Sequence, residues 1–298
     1  MDEPITLTRP VLDERTWRAR RAAHEQRVDV WVQPHLERRR TGEAHPVEDF
    51  LFTYYSQRPA GLRRWHPGFG TLLEAGEEYA DLKGYAAVPT GPGPVCATVT
   101  TDHVRSQTRF VRGLHNLLTA TASRPAQLGC FGMHEWAMVY RLAPSDVRHA
   151  SWPLRLGAQG TDDVVESHRI ACSHFDAYRF FTEAAAPLNA LRPGQEDRAA
   201  FEQPGCLHAG MDLYKHAFRL TPMIPSELVA DCFELARDIR VLDMRASPYD
   251  LSGLGYSPVR VETPHGKAEY VAAQRDFAER GAPLRERLVA ECEELLSV

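Results

Sequence analysis

Three segments of this chain, 113–141, 166–181 and 206–218, combine histidines and carboxylates with apolar residues. A helix with a purely structural role does not need that mixture. If the segments pack side by side, they surround one pocket with imidazoles and carboxylates, which are the usual components of an active site. We therefore predict that the chemistry of this protein lies between these three segments.

The third segment carries its polar residues at a helical spacing. An apolar stripe along it consists of Leu207, Met211, Tyr214 and Phe218. His208, Asp212 and His216 recur every four residues and form a second stripe beside the first. Because His208 and Asp212 lie one helical turn apart, both side chains can reach one ion or one substrate.

A divalent metal ion is the one cofactor that these residues suggest. The candidate ligands are His115, His168, His174, His208 and Asp212. The His134-Glu135 pair does not continue into a His-Glu-x-x-His zinc motif, because Met138 stands where the second histidine is required. The alternative role of the same side chains is hydrogen bonding within a polar layer of the core.

Proton transfer requires fewer residues than metal binding, and Glu135 is the leading candidate for it. Glu135 precedes Trp136, and burial among aromatic rings raises the pKa of a carboxyl group toward neutrality. His134 and Asp212 complete the set of catalytic candidates. The alternative role for each carboxylate is helix capping or a salt bridge.

Aromatic side chains near these segments can stack on a planar ring such as a nucleobase. The candidate substrate contacts are Tyr54, Trp65, Asn116, Trp136 and Tyr178. The alternative is that the aromatic residues belong to the core, where such side chains are commonly buried. The sequence contains no Gly-x-Ser-x-Gly motif and no phosphate-loop or dinucleotide-binding fingerprint.

Composition and charge favour a small ligand. The 298 residues carry a formal net charge of −5, which disfavours DNA as a partner and leaves a small molecule or nucleobase as the expected ligand. The segment 9–40 is locally basic, with nine arginines against five acids. This surplus suggests either a phosphate-binding face or a solvated helix face.

The sequence also suggests where the protein resides. It has no signal-peptide pattern and no long apolar stretch, so we expect a cytoplasmic protein with no membrane partner. Its six cysteines lie far apart, without a Cys-x-x-Cys pair, and are expected to be reduced. No feature of the sequence indicates an oligomeric state.

The pattern of apolar residues predicts a mainly α fold, with one helical domain over residues 1–298 and small β excursions. A basic helical arm is expected within residues 1–44, capped by Asp13 and ended or kinked at Pro34. A short helix should follow Pro46, and a strand-like run should cover residues 95–101.

Further helices are expected in the centre of the chain, over residues 102–122, 133–142, 174–186, 207–218 and 226–243. The helix over 174–186 is inferred from a capping box, Ser173 to Asp176. In the C-terminal region, 256–298, we predict a β-hairpin that pairs 259–262 with 267–271. An acidic helix is then expected to begin at about Lys267 or Pro283 and end at Leu296.

Three stretches, 45–55, 113–141 and 205–250, resemble a family of bacterial proteins commonly labelled 3-methyladenine DNA glycosylase. The resemblance covers residues 45–251. It implies hydrolysis of the N-glycosidic bond to a damaged purine, with the flipped base stacked on aromatic rings and a carboxylate that activates water. A helix-hairpin-helix is not predicted, because the glycine-rich string 251–255 leads into Pro258 rather than a helix.

Two other functional classes are compatible with these residues. The first is a metal-dependent enzyme that acts on a small molecule such as a nucleobase or nucleoside. The second is a non-catalytic nucleobase-binding protein that has the pocket but no turnover.

Overall fold

Helices dominate the computed structural model, which describes residues 10–89, 93–143 and 152–298. One continuous hydrophobic cluster extends from Trp17 near the start of the chain to Leu295 near its end. The mainly α fold class with a small β component is therefore confirmed. No described helix is long and apolar enough to cross a membrane.

The predicted N-terminal helix is present as α1, Glu14–Thr41. Asp13 caps it, because the Asp13 carboxylate accepts a hydrogen bond from the Thr16 backbone N–H at 2.8 Å. The prediction that the helix ends at Pro34 was wrong, because α1 continues through Pro34 as far as Thr41. Gly42 then ends the helix with a φ of 76°, a left-handed conformation that suits glycine.

A four-stranded sheet covers one end of α1. The strands are β1 Val11–Leu12, β2 Leu72–Leu73, β3 Tyr85–Val88 and β4 Cys96–Val99, in the order β1-β2-β4-β3. β1 and β2 are parallel and the other pairs are antiparallel, with Tyr85 opposite Val99. The predicted strand at 95–101 is confirmed as β4, whereas β3 was not predicted.

Short helices connect the sheet to the centre of the molecule. They are α2 Phe50–Tyr54, α3 Pro59–Arg63, α4 Glu77–Ala80, α5 Thr101–Ser106 and α6 Thr108–Ala122. The helix predicted over 102–122 is thus two helices, which meet at Gln107. α2 confirms the short helix expected after Pro46, although it begins a turn later.

The middle of the chain contains shorter helices than predicted. They are α7 Met133–Ala137, α8 Gly157–Ser167, α9 Phe175–Tyr178 and α10 Arg198–Phe201. The capping-box prediction was wrong: His174 occupies the N-cap position of α9, and no side chain caps the helix. The helical hydrogen bonds of α9 stop after Arg179, because the Phe180 backbone N–H donates to Ala177, and the Thr182 N–H then donates to the carbonyl of Ala137.

Three long helices form the core and position the site. They are α11 Leu207–Leu220, α12 Ser226–Arg245 and α13 Pro264–Leu296. α11 packs between α12 and α13, and its polar residues His208 and Asp212 are buried with the apolar ones. α11 and α12 confirm the helices predicted over 207–218 and 226–243.

The predicted C-terminal β-hairpin was wrong, because residues 267–271 belong to the first turns of α13. Thr263 caps this helix by accepting a hydrogen bond from the Gly266 backbone N–H at 3.1 Å, and Pro264 occupies the first turn. Thr-Pro-His-Gly is therefore a helix start rather than a hairpin turn. Pro283 lies inside α13, which confirms the earlier of the two predicted starts.

Candidate functional site

α7, α11 and α12, together with the ends of α9 and α10, bring a set of charged and polar side chains together in the core. We refer to this set as the buried polar network; it consists of His134, Glu135, His174, Arg198, Glu202, His208, Asp212, Arg240 and Asp243. The predicted residues His134, Glu135, His174, His208 and Asp212 do converge. Sequence reasoning missed the two arginines, Glu202 and Asp243.

At one end of the network His134 is paired with Asp243. The His134 Nε2 atom lies 2.9 Å from Asp243 Oδ1, and the two residues are 5% and 0% exposed. Arg240 Nη1 donates to the other Asp243 oxygen at 2.7 Å and to Glu135 Oε1 at 3.0 Å. The Arg240 guanidinium also lies over the ring of Phe50. One cation therefore holds both carboxylates in place beside His134.

The charge of Asp243 sets the protonation of His134. Burial by itself lowers the pKa of His134, but the charge and hydrogen bond of Asp243 outweigh burial and raise it. In turn, burial favours the neutral form of Asp243, yet His134 and Arg240 lower its pKa. The surroundings therefore favour the imidazolium form of His134 and the carboxylate form of Asp243.

His208 on α11 touches this pair. Its ring centroid lies 4.4 Å from that of His134 in an edge-to-face arrangement, and 5.3 Å from that of His174. Burial lowers the pKa of His208 well below its ordinary value, and the charge of His134 lowers it further. His208, whose surroundings favour the neutral ring, therefore lies beside His134, whose surroundings favour the protonated ring.

Asp212 forms the other end of the network. His174 Nε2 lies 3.4 Å from Asp212 Oδ2, which also accepts from Arg198 at 2.8 Å and Lys215 at 3.1 Å. The hydroxyl of Tyr55 donates to Asp212 Oδ1 at 2.8 Å. Burial favours protonation of Asp212, but the hydrogen bond and charge of His174 and the charge of Lys215 hold its pKa well below the ordinary value. Asp212 is an ionised carboxylate with its oxygens fully engaged.

A cavity of about 760 Å³ borders the network on the side of His134 and His208. Its wall is largely apolar, with contributions from Phe131, Met133 and Ile170. Its cationic lining residues are Arg124, Arg169 and Lys267, and no aspartate or glutamate lines it within the described part of the chain. The cavity therefore suits a flat or apolar group that also carries negative charge.

Other candidates from the sequence lie elsewhere. Asn116 is exposed on α6, and His115 faces Glu293 with its Nε2 atom 3.4 Å from the carboxylate. Trp65 and Trp136 are fully buried in the core, where their ring N–H groups donate to Glu227 and to the Ala246 carbonyl. These four side chains do not line the cavity beside His134.

The remaining candidates are His168, Tyr54 and Tyr178, and the first two line cavities beside the buried polar network. His168 lines the large cavity, and its Nδ1 atom lies 2.6 Å from the Val164 carbonyl. Tyr54 lines a smaller cavity of about 230 Å³ together with Glu135 and His208. Tyr178 packs edge-to-face on Phe181. His208 therefore lines both cavities, together with His134 and His168 in the larger one and with Tyr54 and Glu135 in the smaller one.

One group of ligand atoms among the described residues is compact enough to hold a metal ion. His134, Glu135 and Asp243 offer atoms within 4.8 Å of one another. In this structure the guanidinium of Arg240 already bridges Glu135 and Asp243. A divalent ion bound there would compete with Arg240 for the same carboxylate charge.

Comparison with known proteins leaves the site to be judged on its geometry. No protein-family model, no curated protein and no solved structure matches this chain. The resemblance to proteins labelled 3-methyladenine DNA glycosylase stays a prediction.

Proposed function

We propose that this protein is a hydrolase that cleaves the N-glycosidic bond of a purine nucleotide, with His134 as the general acid. The observation that carries the proposal is that His134 lines the large cavity and is paired with the buried Asp243. A histidine oriented by a buried carboxylate is a proton donor with a fixed direction. Because Nε2 faces Asp243, Nδ1 is the nitrogen that donates to the substrate.

The reaction needs one proton donor and one acceptor. The bond between the purine nitrogen and the sugar carbon breaks, and the leaving purine takes a proton from His134. Water adds to the sugar carbon and gives a proton to the neutral His208. His208 lies beside His134, and a proton passed back from His208 to His134 restores the starting state. The negative charge of Asp243 and Glu135 near the cavity favours an oxocarbenium-like transition state.

The lining of the cavity supports a substrate of nucleotide size. Its volume lies within the range of small-molecule sites. Apolar residues can hold the base, and Arg124, Arg169 and Lys267 can attract a phosphate group. The protonated His134 favours a neutral purine over an alkylated one, because an alkylated purine is already cationic and would be repelled.

The test is release of free purine. The purified protein is incubated with purine nucleoside 5′-monophosphates in one arm and methylated duplex DNA in the other, and free base is measured by chromatography. We expect release from the nucleotides, and a loss of roughly 10²-fold or more in His134→Gln. His115→Gln is the matched control, because His115 lies outside the cavity and should leave the rate unchanged.

Each outcome bears on the proposal. Release from methylated DNA alone would keep the hydrolase class and replace the substrate with the one that the resemblance implies. Nucleotide binding without release in either arm, even at stoichiometric protein, would overturn the proposal in favour of a nucleobase-binding protein.

The compact group of His134, Glu135 and Asp243 favours a second candidate, a metal-dependent enzyme acting on a small molecule. Elemental analysis of the purified protein measures the amount of bound metal directly. The proposal of a metal-free general acid predicts well below one equivalent of any transition metal and full activity after chelation. One tightly bound equivalent that is lost in His134→Gln but kept in His115→Gln would favour the metalloenzyme instead.

A further inference from the structure

A second large cavity, of about 720 Å³, lies on another part of the molecule and shares no lining residue with the first. It is formed by the segment 54–66, by α9 and by the C-terminal half of α11. Its cationic lining residues are Arg58, Arg64, Arg179, Lys215 and Arg219. Asp176 is the one carboxylate among its described lining residues.

Asp176 does not neutralise this charge. The carboxylate is already shared between Lys215 Nζ at 2.9 Å and Arg179 Nε at 3.2 Å. Arg219 lies over the ring of Phe110, 4.2 Å from its centroid, and keeps its charge there. Arg58 and Arg64 are exposed, and neither forms an ion pair within the described part of the chain. The cavity therefore carries a positive charge that the protein does not compensate locally.

Other groups that line this cavity are typical of a ligand-binding site. Tyr54, Tyr55 and Phe218 provide aromatic rings along the wall. Gln57 is 92% buried, with 8% of its surface exposed, and its side-chain oxygen has no hydrogen-bond partner among the described residues. A buried amide oxygen without a partner is costly, and a hydroxyl group of a ligand would satisfy it.

We propose that this cavity binds a phosphorylated small molecule. Arginine guanidinium groups donate paired hydrogen bonds to phosphate oxygens, and several of them around one cleft are typical of phosphate recognition. The Lys215 ammonium stands at the inner end, where it links the cavity to Asp212 at 3.1 Å. His66 contributes no charge there, because burial lowers its pKa to about 3.

The experiment is a titration calorimetry series on the full chain with inorganic tripolyphosphate, ATP and AMP as probes. The test variant is Arg58→Gln/Arg64→Gln, since both side chains are exposed and their replacement should leave folding intact. Arg15→Gln/Arg39→Gln removes the same charge from the exposed face of α1 and is the matched control. We expect the test variant to weaken tripolyphosphate binding by roughly tenfold or more, and the control by less than about twofold.

The three probes separate the sources of the phosphate. Equal affinity for tripolyphosphate and ATP would support the proposal and assign recognition to the phosphates alone. Tighter binding of ATP that Arg58→Gln/Arg64→Gln weakens would support it and add base stacking on the aromatic wall, since nucleotide binding in the first cavity would not respond to this double variant. Absence of binding at millimolar probe, or equal weakening in both double variants, would overturn the proposal. A labelled DNA duplex that binds where tripolyphosphate does not would overturn it in favour of a nucleic-acid surface.

Because the two cavities share no lining residue, the outcome is independent of base release. Loss of anion binding in Arg58→Gln/Arg64→Gln with unchanged purine hydrolysis would support the second site. The same loss of binding would support it if the first cavity proved to have no hydrolase activity.

Discussion

Asp243→Asn is expected to lower purine release by roughly 10²-fold to 10⁴-fold at neutral pH, as removal of a general acid does. Asp243 touches no cavity wall, so the effect arises through His134. Without the carboxylate, burial is the largest remaining influence on the imidazole and lowers its pKa, with the charge of Arg240 acting in the same direction and that of Glu135 opposing it. The variant then holds His134 neutral at neutral pH, and the general acid is lost.

The pH profile distinguishes this role from general damage to the fold. In the wild type the pKa of His134 is raised, so activity that needs the protonated ring falls as the pH rises through that raised value. In Asp243→Asn the same fall should occur at a lower pH, and acidification should restore part of the rate. A variant with native circular dichroism, a reduced rate and an unshifted profile would contradict the assignment.

The free energy of unfolding should depend on pH through His134 and Asp243, and the direction of each contribution follows from the direction of its pKa shift. The raised pKa of His134 contributes stability that is complete below the unfolded-state pKa and is lost as the pH rises through the folded value. The lowered pKa of Asp243 contributes stability that is present above the unfolded-state value and is lost on acidification. The contribution of the pair is therefore greatest between the two ranges and declines on either side.

The long helices could be predicted from the sequence because their signal is local. Leu228, Cys232 and Leu235 recur at the helical period, and these residues lie buried on α12. The prediction failed where distant contacts decide the outcome. The segment after α9 leaves the helix, and its Thr182 backbone N–H donates to a carbonyl on α7, a contact that no local pattern predicts.

The candidate site shows the same contrast between local sequence signals and contacts that are distant in sequence. The residue types in the three segments correctly indicated that His134, His174, His208 and Asp212 would meet. Their partners were missed because the decisive contacts are distant in sequence: Arg240 reaches Glu135 across 105 positions. Charged residues are almost never fully buried unless paired, so the available signal was that Arg240 shares the helical spacing of Ala236 and Met244, which are also buried on α12.

Arg240→Met is expected to destabilise the protein by about 3–5 kcal/mol, the cost of breaking a buried ion pair. Arg240 is 1% exposed, and its removal leaves Glu135 and Asp243 buried without their shared cation. Urea denaturation followed by circular dichroism measures the free energy of unfolding. Arg237→Met is the matched control on the same helix, because its pair with Glu48 is partly exposed and contributes no more than about 1 kcal/mol.

A compensated variant separates charge from packing. Arg240→Met combined with Glu135→Gln and Asp243→Asn removes the cation and both carboxylates together, so no uncompensated charge remains buried. We expect it to regain most of the stability that Arg240→Met loses, since replacing all partners of a buried ion pair is often nearly neutral. If the triple variant is as unstable as Arg240→Met, the stacking of Arg240 on Phe50, rather than its charge, holds this part of the core together.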